Sequence, residues 1–488
     1  MRLCDLLGLN LPPELGDLGV AGLSADSREI KPGYAFFAIP GHAGDGLSYA
    51  ADAKARGAVV VVAQREADCG LPLVVTGDVR AALALAAARF FVRQPKTIAA
   101  VTGTSGKTSV VAFLRQLWEA EGFAAASLGT VGLVDQTGAH YGALTTPGPV
   151  ELHRALDDLA SRGVTHLAME ASSLGIEQRR LDGVHIAVAG FTNLSRDHLD
   201  HHRDMEAYFA AKMRLFERLL PKGRPVVFDA DSDVAPRVEA VVRASGLVPF
   251  GVGAKGAGVT LLDAAPHALS TSLHLRCADA EYDVELPLAG AFQVSNALVA
   301  AGLAIASGGE PARVFAALGK LRGAPGRLEL VGQKNGAPVF VDYAHKPDAL
   351  EKVIATLRPL TQGDLVVVFG CGGDRDKGKR PLMGEIAARL ADRVIVTDDN
   401  PRSEDAAQIR AEILGGAAKA AYAKVSEIGD RRRAIETAIN CLNSDDVLIV
   451  AGKGHESGQI VGAAILPFSD HAVIRDALAA QRKREGAI

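Results

Sequence analysis

Two glycines, a lysine and a row of hydroxyl side chains in the run Thr102 to Ser109 have the types and order that phosphate binding requires. Backbone N–H groups converge on an anion only where side chains do not intrude, which Gly103 and Gly106 secure. Thr104 and Ser105 lie between them, Lys107 adds a positive charge at the β/γ position of a triphosphate, and Thr108, followed by Ser109, offers a hydroxyl to Mg²⁺. The usual spacing would put a glycine where Val101 stands, so the match is to a shortened loop opening at Gly103. A structural Gly-Lys turn is the competing reading. The loop alone does not choose among kinase, ATPase switch and ligase.

Glu170 and His198 each close a strand-like run, and ligands of open α/β sheets gather at carboxyl strand ends, so both could face the loop. Mg²⁺ needs few protein ligands because phosphate oxygens and water complete its shell. The bland alternatives are a solvated strand-end acid for Glu170 and a capping or surface imidazole for His198. Zinc is disfavoured for the run Asp197 to His202, which lacks thiolates and a second histidine pair at ligand spacing. Tyr208, Lys212 and Phe216 recur at helical spacing on one face. Lys212 is then either a snorkelling stem or a desolvated amine of lowered pKa that is open to modification.

These residues require strands feeding loops. Apolar runs of strand length alternate with helix-period segments, the pattern of an α/β chain with parallel sheets covered by helices. Strands are expected at Ala58 to Ala63, Leu71 to Val75, Thr97 to Val101, Val164 to Met169 and Val184 to Phe191, and helices at Val79 to Val92, Thr108 to Glu121 and Met205 to Leu219. The alternation over Val259 to Leu288 suits antiparallel strands. Gly323 to Gly326 marks a hinge. Beyond it, Val339 to Tyr343, Leu365 to Phe369, Arg393 to Thr397 and Val447 to Ala451 form a Rossmann-like unit without the G-x-G-x-x-G fingerprint. Three domains follow, at 1–95, 96–329 and 330–488.

Composition narrows the partners. The chain has 488 residues, 53 Lys and Arg against 57 Asp and Glu, and 23 % charged residues. No single-sign field points to nucleic acid or anionic lipid. The longest apolar run, Ala297 to Ala306, is about half the ~20 residues that cross a bilayer. The first residues lack the basic and apolar regions of a secretory signal, so a cytoplasmic protein is expected. The five cysteines, without a C-x-x-C pair, are expected to be reduced and mostly core.

With the loop, Glu170, His198 and Lys212 in this order, the chain resembles the Mur ligases, the ATP-dependent amide-forming enzymes of peptidoglycan assembly, over almost its whole length. More narrowly it is similar to the members that add the third amino acid. That resemblance implies a UDP-sugar-binding domain at 1–95, a central P-loop ATPase domain carrying a small antiparallel sheet at 96–329, and an amino-acid-binding domain at 330–488. It implies that Ser27 and His42, in the segments Ser24 to Arg28 and Pro32 to His42, hold UDP, and that Thr145, Thr146, Ser172, Gln178 and Arg180 touch the sugar-peptide part. Glu170 and His198, with Thr108, coincide with family Mg²⁺ ligands, and Lys212 with a lysine carbamylated to N6-carboxylysine. Asn296 resembles a residue near the adenine, Arg327 a hinge arginine near the phosphates, and Asp342 and Tyr343 residues that reach towards ATP. Two departures stand out: the family's Ser-Ser-His triplet reads Ser172-Ser173-Leu174, and Lys346 stands where Thr is common.

For the amino acid, Asp399-Asn400-Pro401-Arg402 resembles the tetrapeptide that accompanies diaminopimelate use, its guanidinium suited to a distal carboxylate that lysine lacks. Gly452 and Glu456 match contacts to the far amino end, and Arg375 one to the other carboxylate. The implied reaction joins meso-diaminopimelate to the D-glutamate γ-carboxylate of UDP-N-acetylmuramoyl-L-alanyl-D-glutamate through an acyl phosphate, on a monomer, with neither nucleic acid nor membrane as partner. The alternatives are L-lysine as the amino acid, a folylpolyglutamate synthase-like ligase, and a nucleotide switch without transfer chemistry.

Overall fold

A computed structural model describes residues 1–41, 44–140, 144–197, 201–267, 269–420 and 422–485, the side chains of 482–485 excepted. The chain divides into two compact units. The first comprises Met1–Leu262, Leu275–Tyr282 and Ser295–Ala317, and the second Asp263–His274, Asp283–Val294 and the residues from Leu318 onward.

Within the first unit, Gly22–Ser24, Tyr34–Phe37, Ala58–Ala63 and Leu73–Val75 form a parallel sheet in chain order. Val60 and Val62 face Leu3, Leu6 and Leu83, whereas Val61 and Ala63 face Ala50 and Ala53, so both sides are covered and the strand reads as a continuous apolar run. The helix Val79–Phe90 follows, its first turn capped by the Asp78 carboxylate, which accepts from Arg80 and Ala81 N–H groups.

A larger sheet has Thr97–Thr102 between His166–Glu170 and Ile186–Phe191, all parallel. Pro225–Asp229 and Val248–Gly253 extend it on one side, and Ala125–Gly129 on the other. The stretch from Val259 departs from the antiparallel expectation at its start, where Val259 pairs in parallel with Val252. The chain returns so quickly because Gly253 adopts φ +113° and the Asp231 carboxylate captures the N–H groups of Ala254 and Lys255 at 2.7 and 2.9 Å. Thr271–Cys277 and Ala280–Leu286 form an antiparallel hairpin, and Val259–Pro266 is the next strand beside Thr271–Cys277 in the same sheet. Arg276 there faces Glu281, and His274 faces Asp283.

The expected helix from Met205 runs to Arg214 and then widens into a π-turn over Leu215–Leu219, so one helix becomes two geometries. Its face of Tyr208, Lys212 and Phe216 is buried throughout.

The second unit holds a six-stranded sheet ordered Glu329–Lys334, Ala337–Asp342, Val447–Ala451, Leu365–Phe369, Arg393–Val396, Lys424–Glu427. Only the first is antiparallel to its neighbour. Val367 and Phe369 pack on the helices Pro347–Leu357 and Lys379–Leu390, while Val366 and Val368 pack on Arg431–Asn440. Side chains alternate across a sheet wound on both faces. The five cysteines are free thiols, but only Cys277 and Cys371 are buried and Cys441 is exposed, correcting the expectation that most are core. Among the described residues no helix is long and apolar enough to cross a membrane.

Candidate active site

Strand register builds the first site. Val101 pairs with Glu170 on one side and Thr102 with Phe191 on the other, so the residues after each strand flank the phosphate loop. Gly103 and Gly106 have φ of +138° and +86°, and side chains there would collide with Thr192 and Asn296 respectively. Asn296, expected near an adenine, therefore lies against the loop itself. Thr104 N–H donates to the Asn193 carbonyl at 2.9 Å and Ser105 N–H to Asn193 Oδ1 at 3.0 Å, which fixes the loop from the neighbouring strand end. Lys107 Nζ donates to the carbonyls of Gly103 and Thr104, each at 2.8 Å. Thr108 and Ser109 are buried in the first turn of the helix Lys107–Ala120.

Lys212 joins this group. It is 1 % exposed, its Nζ donates to the Gly103 carbonyl at 2.8 Å, and it stands 4.1 Å from the centre of the Tyr208 ring. The Tyr208 hydroxyl reaches Thr104 Oγ1 at 3.3 Å. Burial holds the Lys212 pKa well below its ordinary value, and the neighbouring Lys107 charge adds to this. A snorkelling stem is excluded, since the amine ends inside the protein.

Glu170 is not a solvated acid either, being 1 % exposed. Its carboxylate accepts the Thr130 N–H at 2.8 Å and the Thr130 hydroxyl at 3.2 Å, and that hydroxyl lies 3.1 Å from Thr145 Oγ1. The Thr146 hydroxyl is 3.0 Å from Ser172 Oγ, and Arg180 donates to the Thr146 carbonyl at 2.7 Å and to Gln178 Oε1. Beside Leu174, the Ser173 hydroxyl lies 3.0 Å from His202 Nε2. His42 and His198 fall outside the described residues. Among the described residues no three His, Cys, Asp or Glu side chains are grouped to hold a metal ion by themselves.

A cavity of about 1100 Å³ opens within the same unit, with Ser27, Gln178 and Arg180 in its wall. Sequence reasoning missed Arg80, Tyr49 and Glu151, which also line it. No motif flags them, because Arg80 reads as an ordinary residue of a helix first turn. Burial, and secondarily Arg80, lowers the Arg180 pKa, so the two cations share a field that favours an anionic ligand.

The second unit collects the remaining expected residues. Asp342 accepts the N–H groups of Leu328 at 2.6 Å and Ala344 at 2.7 Å, and burial raises its pKa to about 6 despite Arg327. The Arg327 guanidinium lies 4.8 Å over the Tyr343 ring. Arg375 is exposed. Gly452, at φ +111°, lies against Asp399, where a Cβ would meet Asp399 Oδ2 at 2.7 Å. Arg402 adopts φ +53° and donates through Nη1 to the Gly373 carbonyl at 2.7 Å. A hairpin of Gly458–Val461 and Ala464–Pro467 holds this segment: Arg402 N–H bonds Ile460 O at 3.0 Å, and Gly462 N–H bonds Arg402 O at 2.7 Å. Asn400 Nδ2 donates to Glu456 Oε2 at 2.9 Å. Sequence reasoning missed this hairpin, Lys453, and the buried Arg431–Asp470 pair at 2.7 Å.

A phosphate loop at the end of a central parallel strand, with a buried acid and a buried lysine beside it, defines a nucleotide-binding α/β protein. Family models match over most of the chain: the catalytic domain of the Mur ligase family at residues 19–91, the Mur ligase middle domain at 101–304, and the Mur ligase glutamate ligase domain at 326–454. The chain belongs to the Mur ligase family. It is 56 % identical over 486 residues to a UDP-N-acetylmuramoyl-L-alanyl-D-glutamate--2,6-diaminopimelate ligase of Mesorhizobium japonicum, covering 98 % of this chain and 99 % of that one. A Caulobacter vibrioides protein of the same name is 50 % identical, with 98 % of each chain covered. A solved structure of a ligase so named is 33 % identical with TM-score 0.73, covering 99 % of both chains. The MurF ligase of Thermotoga maritima in complex with ADP, 19 % identical with TM-score 0.63 over 96 % of this chain and 99 % of that one, shares the fold.

Proposed function

We infer that the chain is an ATP-dependent, ADP-forming ligase that adds meso-2,6-diaminopimelate to the D-glutamate γ-carboxylate of UDP-N-acetylmuramoyl-L-alanyl-D-glutamate, a step of peptidoglycan synthesis. Near-complete coverage at 56 % identity by a ligase of that name carries the reading. The Asp399–Arg402 segment supports diaminopimelate over L-lysine, because a guanidinium suits a distal carboxylate. A folylpolyglutamate synthase of Mycobacterium tuberculosis covers only 76 % of this chain, which disfavours that alternative.

Residues 1–95 are assigned to the UDP-sugar, 96–329 to ATP and 330–488 to the amino acid. Ser27, His42, Thr145, Thr146, Ser172, Gln178 and Arg180 bind the sugar-peptide, with Arg80 added from the cavity wall. Residues 103–109, Asn296, Arg327, Asp342 and Tyr343 bind ATP. Arg375, Asp399, Asn400, Pro401, Arg402, Gly452 and Glu456 bind diaminopimelate.

A carboxylate does not condense with an amine at neutral pH, because its oxygen is a poor leaving group. Attack of the γ-carboxylate oxygen on the γ-phosphorus breaks the bond to the β-phosphate oxygen and gives an acyl phosphate and ADP. The amine then attacks the acyl carbon, and inorganic phosphate and a proton leave. Lys107 screens the two anions as they meet, and orientation by the bound groups supplies much of the acceleration.

The Thr108 hydroxyl and the buried Glu170 carboxylate are hard oxygen donors beside the phosphate loop and fit Mg²⁺, with His198 as a third candidate. When bound, the ion neutralises phosphate charge. Lys212 carries a carbamate. A cytoplasmic monomer completes the proposal. Phosphate release that requires both the UDP-sugar dipeptide and diaminopimelate, with L-lysine inactive, tests it. Release with ATP alone would identify a nucleotide switch instead.

A further inference from the structure

Lys453 is wholly buried, and the reaction above does not use it. It stands between Gly452 and Gly454, whose φ values are +111° and +53°, in a turn closed by the Glu456 N–H on the Lys453 carbonyl at 3.1 Å. Its Nζ donates to Asn400 Oδ1 at 3.1 Å and to Glu456 Oε2 at 3.0 Å. Asn400 Nδ2 donates to that same Glu456 oxygen at 2.9 Å, while Asn400 Oδ1 also accepts the Ile460 N–H at 2.9 Å. Oε2 of Glu456 thus takes two donors, and the Asn400 carbonyl takes two more, so neither atom has capacity to spare for a ligand. The other Glu456 oxygen, Oε1, belongs to a side chain that is 33 % exposed.

We propose that Lys453 is a positioning residue: with Asn400 it pins one oxygen of Glu456 and so presents the other to the ammonium at the far end of the incoming amino acid. The inference rests on the reading that Glu456 meets that amine. The terminal torsion of a glutamate is broad, and an untethered carboxylate would have to be ordered by the substrate itself. A buried cation so close to a substrate ammonium would by charge alone weaken binding, so the proposal and simple repulsion predict opposite signs for its removal.

The test compares full-length wild type, Lys453→Met, Lys453→Arg, Glu456→Gln and the Lys453→Met/Glu456→Gln double variant. Substrates are meso-diaminopimelate and 2-aminopimelate, which keeps both carboxylates but lacks the distal ammonium. Lys453→Met is expected to raise the diaminopimelate KM roughly tenfold to a hundredfold, the value of a charge-assisted hydrogen bond. The ATP KM and the kcat/KM for 2-aminopimelate stay near wild type, Lys453→Arg retains part of the preference, and the double variant is no worse than Glu456→Gln alone. Equal losses on both substrates, additive effects, or a lower diaminopimelate KM would overturn the proposal. Should Lys453→Met not yield folded protein, Lys453→Gln, of similar length but uncharged, makes the same comparison with the charge-assisted contact to Oε2 removed. Wild type that does not ligate diaminopimelate overturns the parent reading. Wild-type preference that survives Lys453→Met overturns this proposal alone.

Discussion

The side-chain nitrogen of Lys212 donates to the backbone carbonyl of Gly103 at 2.8 Å, tying a helix to the first glycine of a loop 109 residues earlier. Because burial and Lys107 depress its pKa, more of this amine is neutral near pH 7 than in an ordinary lysine. A neutral amine adds to carbon dioxide, forming an N–C bond and releasing a proton. On Lys212 the proposed product would be a carboxylate-like group beside the loop that opens at Gly103.

Lys212→Ala is accordingly expected to lose about two to three orders of magnitude in kcat, with partial recovery in acetate. A carbamate carbon resonance in wild type supplied with ¹³C-bicarbonate, missing from the variant, is the spectroscopic check. Full activity without acetate would remove the role.

Lys107→Ala is expected to reduce ADP formation by roughly 10²–10³-fold, because one preorganised charge at the phosphates is removed. Coupled ADP release measures it, and unchanged turnover would refute the loop assignment.

Arg402→Ala is expected to raise the diaminopimelate KM about tenfold or more while the ATP KM moves little, as for loss of a charge-assisted hydrogen bond. Parallel changes in both constants would count against a carboxylate contact.

The Arg431–Asp470 pair has no exposed side-chain surface on either partner. Arg431→Met leaves a buried charge unpaired and should destabilise the protein by about 3–5 kcal/mol, read from urea unfolding. The exposed Arg2–Asp5 pair, at 59 % and 52 % side-chain exposure, is screened by solvent, and its removal should leave the unfolding midpoint almost unmoved.

Asp342 titrates at about 6 when folded, above its ordinary 3.8, chiefly through burial. The folded state therefore binds more protons than the unfolded state between about pH 4 and 6, so this group's contribution to stability falls as pH rises through that window and stays low above it. Unfolding free energies of wild type and Asp342→Asn, compared at pH 4.5 and 7, should diverge by about 2 kcal/mol, with wild type losing ground at the higher pH.

Local rules made much of this legible. Continuous apolar runs such as Leu365–Phe369 and Val447–Ala451 mark strands covered on both faces, and the glycines and lysine after Thr97–Thr102 mark the loop. Contacts between distant segments were not legible. Glu170 alone cannot disclose that Thr130 buries its charge in hydrogen bonds. Arg431 and Asp470 lie 39 residues apart and look like two solvated charges. Lys453 sits in a motif dominated by its glycines, and the π-turn at Leu215–Leu219 has no compositional mark. These features depend on which elements the topology brings together.

The hairpin that grips both backbone groups of Arg402 lies some sixty residues downstream of the segment it holds. Transplanting the Asp399–Arg402 tetrapeptide into another scaffold would therefore carry its side chains without their posture. A graft meant to change amino-acid preference has to move residues 458–467 with it.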